Sequence, residues 1–176
     1  MMSWRGASVD TPAEAIHEYI TVNTVAPLLL FRACLPLLEA SSPAALQGRQ
    51  SRPAKSIAIT SAIGSTTLLD KLTHAKVLPY GLSKAALNHT MRKLSTEHPD
   101  IVIEVLTPGP VKTDLSRSFG DAFLKEAVKV NPRFADSFVP IDKVANGLMQ
   151  CIDGACLGEN GTSGGFRDWS GKVVPW

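Results

Sequence analysis

The chain has 176 residues, 44% of them hydrophobic and 19% charged, and a formal net charge of +2. This composition is typical of a folded globular protein, and the length favours one domain spanning residues 1–176. No basic stripe points to nucleic acid. The longest apolar stretch, residues 25–31, is too short to cross a bilayer. Three cysteines without paired spacing predict reduced thiols in a cytoplasmic protein.

The first predicted element is a long helix. Thr11 is expected as its N-cap, Pro12 at its first helical position and Glu14 as the partner in a capping box. The helix should continue, with one disturbance, through residue 37 or 38. Residues 41–54 are rich in Ser, Pro and Gln and predict a surface loop.

Strands and helices then alternate along the chain, which predicts an α/β protein with a parallel sheet. Two short β-branched runs are expected to form buried strands, and two longer segments to form helices. Between the second strand and the last helix, residues 113–138 suggest a mobile flap, and the chain ends in a strand and a turn. In chain order the predicted elements are strand 55–61, helix 79–97, strand 101–106, helix 140–153 and the terminal segment 165–176.

Tyr80 and Lys84 are the candidate catalytic pair, because residues four apart share one face of a helix. An ammonium beside a phenol favours the phenolate, so we expect Lys84 to lower the pKa of Tyr80. Ser61 ends the preceding strand and could hold the oxygen that receives the proton. These groups suit carbonyl reduction or alcohol oxidation. The structural alternative is a surface pair on an amphipathic helix.

The order of these motifs resembles the short-chain dehydrogenase/reductase family. A finer resemblance links the chain to fungal polyketide ketoreductases of the norsolorinic acid type, through residues 23–28, 106–114 and 168–176. The four motifs that carry the family resemblance are Asn23, Ser61–Gly64, Tyr80–Lys84 and Pro108–Thr113.

The resemblance implies a fold and roles for individual residues. The fold would be the C-terminal part of a Rossmann-type doubly wound sheet, with about three strands. Tyr80 would be the general acid, Lys84 would also bind the nicotinamide ribose, and Ser61 would bind the substrate oxygen. The cofactor would be NADP, with NAD as the alternative. The substrate would be a small carbonyl compound. Self-association of the chain would use the long helices. The nicotinamide carboxamide would be held around the residues Pro108, Gly109, Val111 and Thr113, unless this segment is a simple strand-terminating turn.

Asn23 permits a separate argument from the residues. Pro27 has no N–H, so the Asn23 carbonyl lacks its usual partner four residues later and could bind a water instead. The family resemblance implies that such a water joins a proton relay to Lys84. The alternative is an ordinary proline kink.

The glycine-rich turn that seats a dinucleotide pyrophosphate has no counterpart before Asn23. We therefore expect the chain to lack the N-terminal βα units of the fold and to leave an unpaired edge on its first strand. A fragment of a full reductase, a degenerate protein and a protein supported by a second polypeptide all fit this pattern. The alternative to an enzyme is a non-catalytic remnant that associates with a full-length relative.

Overall fold

The computed structural model describes residues 6–41, 53–72, 75–111, 125, 127–129, 132 and 134–176. Within these residues the main helices are α1 (Ala13–Ile20), α2 (Ala26–Ala40), α3 (Leu78–Glu97) and α4 (Ile141–Gly154), and the strands are β1 (Lys55–Ile59), β2 (Val102–Thr107) and β3 (Phe166–Asp168). Short 3₁₀ turns are formed by Ser8–Asp10, Ala62–Gly64, Leu69–Lys71 and Ala135–Ser137. The predicted alternation of strands and helices is therefore confirmed.

The three strands form one parallel sheet in the order β1-β2-β3. Ile59 of β1 pairs with Leu106 of β2, and Thr107 of β2 pairs with Asp168 of β3. The central strand β2 buries all six of its residues, as expected for an apolar strand covered on both faces. This sheet with its flanking helices confirms the predicted C-terminal part of a Rossmann-type fold.

Helices cover both faces of the sheet. Alternate residues of β2 point to opposite faces, so Ile103 and Val105 join a core cluster with Leu87 of α3. On the other face the carboxylate of Glu104 pairs with Arg167, whose guanidinium also donates to the Cys151 carbonyl of α4. Because Glu104 is only 1% exposed, its ion pair and hydrogen bonds offset the cost of burying the charge.

The first helix is interrupted, as predicted. Residues Thr21–Val25 form a π-helical turn between α1 and α2, in which the Ala26 N–H donates to the carbonyl of Thr21, five residues earlier. The missing N–H of Pro27 accounts for a break in the α-helical ladder at this point.

The predicted capping box at the start of α1 is wrong. Pro12 occupies the N-cap position, and no side chain caps the helix. The Thr11 hydroxyl is buried without a hydrogen-bond partner, so it does not reach the first-turn N–H groups. Because the helix begins one residue later than expected, the spacing between Thr11 and Glu14 no longer matches a capping box.

Helix α3 begins at Leu78 with a proline in its first turn, which agrees with the predicted helix 79–97. Leu82 is 40% exposed, although it is a large apolar residue of this helix. The side chains that α3 buries are Pro79, Ser83, Leu87, Asn88, Met91 and Leu94. The buried face therefore contains two polar residues that apolar periodicity does not mark.

The β1 edge of the sheet is less covered than its centre. No residue of β1 is fully buried, and Ile59 is 46% exposed. An open cleft of about 750 Å³ lies between α2 and β1. Val22 and Leu30 line this cleft. The large apolar side chains of the helical run that are exposed are Val22, Val25, Leu28, Leu29, Leu30 and Leu37.

The run Ala13–Ala40 is a 28-residue helix long and apolar enough to cross a membrane, with a mean hydropathy of 1.6 in its most apolar window. The helix extends beyond the apolar stretch of residues 25–31, and the sequence-based expectation of no membrane partner stays a prediction. One such helix is weak evidence for a membrane span, since helices of soluble proteins meet the same criterion.

Several predictions fall outside the described residues. Most of the predicted loop 41–54, most of the flap 113–138 and Thr113 cannot be compared with the structure. Helix α4 agrees with the predicted helix 140–153, and β3 with its following turn agrees with the predicted terminal strand and turn.

Candidate active site

Tyr80 and Lys84 lie in the first turns of α3, at the end of the sheet where the parallel strands finish. The Lys84 ammonium lies 5.7 Å from the centroid of the Tyr80 ring. It donates a hydrogen bond of 3.0 Å to the carbonyl of Ile59, the last residue of β1. The helix and the strand end are therefore tied together at the candidate pair.

Ser61 reaches Tyr80 from a tight turn that follows β1. Its backbone is extended, and its hydroxyl accepts a 3.3 Å hydrogen bond from the Ile63 N–H at the start of the 3₁₀ turn. The Ser61 side chain is also close enough to the Tyr80 phenol to lower the pKa of that phenol. We call residues 61–64 the serine turn. The structure thus brings together Ser61, Tyr80 and Lys84, which the sequence places nineteen and four residues apart.

The serine turn is pressed against α3 through a glycine. A Cβ added to Gly64 would lie 2.7 Å from the main-chain carbonyl carbon of Lys84. Real Cβ atoms do not approach this closely, so any larger residue would push the turn away from the helix. Gly64 thereby allows the close approach that places Ser61 beside Tyr80.

Asn88 stabilises the contact between the serine turn and α3 through two hydrogen bonds. Its side-chain oxygen accepts from the Thr60 hydroxyl at 2.6 Å, and its amide donates to the Gly64 carbonyl at 3.4 Å. Thr60 and Asn88 are both buried. Sequence reasoning missed these two residues, although Asn88 continues the spacing of four that links Tyr80 and Lys84.

Asn23 lies against α3 through Ser83, the residue before Lys84. The Asn23 side-chain amide donates to the Ser83 hydroxyl at 3.0 Å, and that hydroxyl donates to the Tyr80 carbonyl at 2.8 Å. The neighbouring Thr24 hydroxyl donates to the Ser83 carbonyl at 2.8 Å. The π-helical turn therefore joins the site, and Ser83 is a contact that the motif analysis did not identify.

The predicted pKa shift of Tyr80 is wrong in direction. Burial raises the pKa of the Tyr80 phenol, and this effect outweighs that of the nearby Ser61 side chain, which lowers it. The Lys84 ammonium faces the ring, where it makes a cation–π contact. Burial lowers the pKa of Lys84.

Tyr19 is a further neighbour of Tyr80 that sequence reasoning missed. The two rings meet edge to face, with centroids 6.2 Å apart. Tyr19 is buried, and its charge when ionised adds to the rise in the pKa of Tyr80. The chain has two tyrosines, so this contact joins them both.

The turn after β2 leaves the sheet beside the serine turn. The Thr60 N–H donates to the Leu106 carbonyl at 2.8 Å, which keeps the ends of β1 and β2 together. Gly109 has a φ of +67°, a conformation that favours glycine. Val111 forms a parallel bridge with Val139, while Thr113 lies outside the described residues.

Lys84 and the turn after β2 offer polar groups that can hold a bound cofactor. Lys84 has three N–H donors, and the Ile59 carbonyl is a main-chain acceptor for one of them. The turn Pro108–Gly109 offers main-chain groups at the carboxyl edge of the sheet, where α/β folds bind ligands. Among the described residues no strand is followed by a glycine-rich turn that opens a helix, so no phosphate seat is assigned.

Comparison with known proteins identifies the family. A family model described as enoyl-(acyl carrier protein) reductase matches residues 2–149. The chain belongs to the short-chain dehydrogenase/reductase family. The short chain dehydrogenase gsfK of Penicillium aethiopicum is 30% identical over 167 residues, which cover 95% of this chain and 61% of that protein.

Two further relatives carry more specific names. Norsolorinic acid ketoreductase of Aspergillus parasiticus is 29% identical over 172 residues, covering 97% of this chain and 56% of that protein. The NADPH-bound carbonyl reductase from chicken fatty liver superposes with a TM-score of 0.77 at 30% identity, covering 99% of this chain and 62% of that one. The predicted resemblance to fungal ketoreductases is confirmed, and the chain spans about three fifths of the length of these relatives.

Proposed function

We propose that the chain carries the catalytic part of an NAD(P)H-dependent reductase that acts on the carbonyl group of a small molecule. The observation that carries this proposal is the approach of Ser61 to Tyr80 across the close contact at Gly64, with Lys84 on the next turn of the same helix. The names of the fungal relatives favour an aromatic or polyketide-like ketone as the substrate. NADPH is favoured by the NADPH-bound carbonyl reductase, with NAD as the alternative.

Each side chain has a role in this proposal. When bound, NADPH supplies a hydride to the carbonyl carbon. Tyr80 donates its hydroxyl proton to the carbonyl oxygen, and Ser61 donates a hydrogen bond to the same oxygen. Because the pKa of Tyr80 is raised, the phenol stays protonated at neutral pH, which is the state that a proton donor requires.

Lys84 and Asn23 act around this proton transfer. The Lys84 ammonium stabilises the tyrosinate that remains and binds the nicotinamide ribose. The Asn23 carbonyl, with Pro27 in place of its usual donor, is the proposed acceptor for a water of the proton relay. The turn containing Pro108, Gly109 and Val111, together with Thr113, is the proposed contact for the carboxamide.

The test is NADPH oxidation with a quinone or an aryl ketone, comparing wild type with Tyr80→Phe. Removing the proton donor should lower the turnover rate by about 10²- to 10⁴-fold, the usual contribution of general acid catalysis. Tyr19→Phe makes the same chemical change on the neighbouring ring and should keep most of the turnover. Equal turnover by wild type and Tyr80→Phe would contradict the proposal.

A second candidate is a non-catalytic protein that associates with a partner. The exposed apolar side chains of α2 favour it, as does the edge of β1 that no strand of the described residues pairs with, because such surfaces are usually covered. Self-association through the long helices is one form of this proposal. Light scattering of the purified chain tests it, since a concentration-independent monomer would exclude self-association.

The proposal treats residues 1–176 as one partial Rossmann-type domain in the cytoplasm. The free state of Cys34, Cys151 and Cys156 supports a reducing compartment. A fluorescent-protein fusion tests the compartment, and a signal confined to secretory organelles would contradict this part of the proposal.

A further inference from the structure

The last residues of the chain form a hairpin that the proposed chemistry does not use. We call residues 166–176 the terminal hairpin. The Asp168 carboxylate accepts from the N–H groups of Ser170 at 2.8 Å and Lys172 at 3.1 Å, and Gly171 supplies the turn with a φ of +86°. The Val174 N–H then donates to the Phe166 carbonyl at 2.8 Å. The hairpin is therefore locked by its own hydrogen bonds.

One arm of the terminal hairpin supports the turn after β2. The Trp169 N–H donates to the Thr107 carbonyl at 3.0 Å. The indole ring lies 3.8 Å from the position where a Cβ of Gly109 would stand. Trp169 therefore backs the turn that is proposed to hold the carboxamide.

The other arm reaches the segment that follows the serine turn. The main-chain oxygen of Trp176 accepts three hydrogen bonds, from the Thr67 N–H at 3.0 Å, the Thr67 hydroxyl at 2.5 Å and the Thr66 hydroxyl at 3.3 Å. The Trp176 ring packs against the buried ring of Phe166, with centroids 5.4 Å apart. We call these three hydrogen bonds the tether.

A continuous set of tight turns connects the tether to Ser61. The Ser65 N–H donates to the Ala62 carbonyl at 3.0 Å, and the Leu68 N–H donates to the Ser65 hydroxyl at 3.2 Å. The Gly64 N–H donates to the Ser61 carbonyl at 3.0 Å. Thr67 is six residues from Ser61. Because hydrogen-bonded turns fill this interval, a shift of Thr67 should also shift Ser61.

We propose that the terminal hairpin is a positioning element of the active site, in which Thr66 and Thr67 hold the main-chain oxygen of Trp176 and so fix the segment that carries Ser61. The hairpin touches both sides of the site, the Gly109 turn through Trp169 and the serine segment through Trp176. The inference rests on the proposed reductase function, because Ser61 has an oxygen to bind only if a carbonyl substrate occupies the site. Thr66 and Thr67 act through Ser61 and do not themselves contact the reacting atoms.

The test removes the two hydroxyls of the tether from the full chain. Thr66 and Thr67 are exposed, so the double variant Thr66→Val/Thr67→Val should fold and keep one of the three hydrogen bonds. Thr96→Val is the matched control, because the exposed Thr96 hydroxyl also donates to a main-chain oxygen but lies at the far end of α3. The double variant Thr66→Ser/Thr67→Ser restores both hydroxyls.

Two measurements are read together. In hydrogen exchange, amides of residues 61–72 should exchange about three- to tenfold faster in the valine double variant, as expected for losing a typical hydrogen bond, and should recover in the serine variant. In turnover, KM for the ketone should rise by a similar factor while kcat changes less and NADPH binding is unchanged. Thr96→Val should match wild type in both.

The outcomes separate this inference from the proposed function. Unchanged exchange in residues 61–72 would overturn the positioning role, whether or not the protein is active. Faster exchange with an unchanged KM would also overturn it, since the tether would then be only structural. If wild type oxidises no NADPH, the proposed function fails, and with it the claim that the tether serves a substrate, while exchange alone decides whether the tether orders the serine segment.

Discussion

Two neighbouring strands of the same sheet have very different surroundings. β2 lies between two partners and buries all six of its residues, whereas β1 has one partner among the described residues and buries none fully. The helices above them differ in the same way: α3 buries six residues, and α2 buries Phe31. The candidate site lies on the border, because Ser61 leaves β1 while Tyr80 and Lys84 belong to α3.

The difference between the two strands indicates that the candidate active site is held mainly by its contacts with α3, on the well-packed side of the sheet. Gly64, Asn88 and Ser83 hold the serine turn and the π-helical turn against α3, and each contact is buried or half-buried. The cleft between α2 and β1 borders these contacts, because Asn23 and Lys84 line it. Substitutions on the two sides should therefore have unequal effects.

The largest difference is expected for the same truncation on the two helices. Leu87→Ala removes a side chain that is 2% exposed, and should lower the free energy of unfolding by about 2–5 kcal/mol. Leu30→Ala removes one that is 66% exposed, and should change it by less than about 0.5 kcal/mol. Urea denaturation measures both. A large loss for Leu30→Ala would mean that a partner or a second copy covers α2 in solution.

A smaller effect is expected when the close approach of the serine turn is blocked. Gly64→Ala should lower the free energy of unfolding by about 1–3 kcal/mol, because the added Cβ collides with the main chain of α3. Gly154→Ala is the control, since a Cβ there meets nothing within 4 Å. Thermal unfolding of the two variants gives the difference. Equal stability would show that the serine turn can move away from α3 freely.

Removing the Ser83 hydroxyl should lower the free energy of unfolding by less than Gly64→Ala does. Ser83→Ala loses the hydrogen bond from Asn23 in a buried position, which is worth about 1 kcal/mol. Ser95→Ala is matched to it, because both hydroxyls donate to a carbonyl three residues earlier. The Ser95 hydrogen bond is exposed, so its loss should leave the free energy of unfolding unchanged. If urea denaturation finds both variants neutral, the π-helical turn is not held by Ser83.

The mildest prediction concerns the pKa of Tyr80. Tyr19→Phe removes a group that raises this pKa, so the pKa of Tyr80 should fall, although burial keeps it above the ordinary value for tyrosine. Reduction needs the protonated phenol, so the rate should begin to decline at a lower pH in this variant. Ultraviolet titration of tyrosinate detects the shift, because Tyr80 is then the single tyrosine. A rise in the pKa would contradict the assignment.

The sequence predicts the order of elements well because β-branched strands and the helix signals around Pro79 are local features. It also brings Ser61, Tyr80 and Lys84 to one end of the sheet, because parallel strands finish at the same edge. These predictions need no knowledge of side-chain packing.

What the sequence could not provide depends on contacts between distant residues. The burial of Tyr80 reverses the expected pKa shift, and the approach of Tyr19 depends on how α1 packs on α3. The Thr11 capping box fails because helix starts vary by a residue or two. The tether from Trp176 to Thr67 joins residues 109 positions apart, and no local pattern in either segment indicates that they meet.

The central claim is that Lys84 and its neighbours hold the nicotinamide end of the cofactor on this chain. NADPH fluorescence titrated with the purified protein tests it directly, using Lys84→Met and, as the control, the exposed Lys76→Met. The account predicts a fluorescence change at millimolar NADPH that is lost in Lys84→Met and kept in Lys76→Met. No change with wild type, or the same change with Lys84→Met, would contradict it.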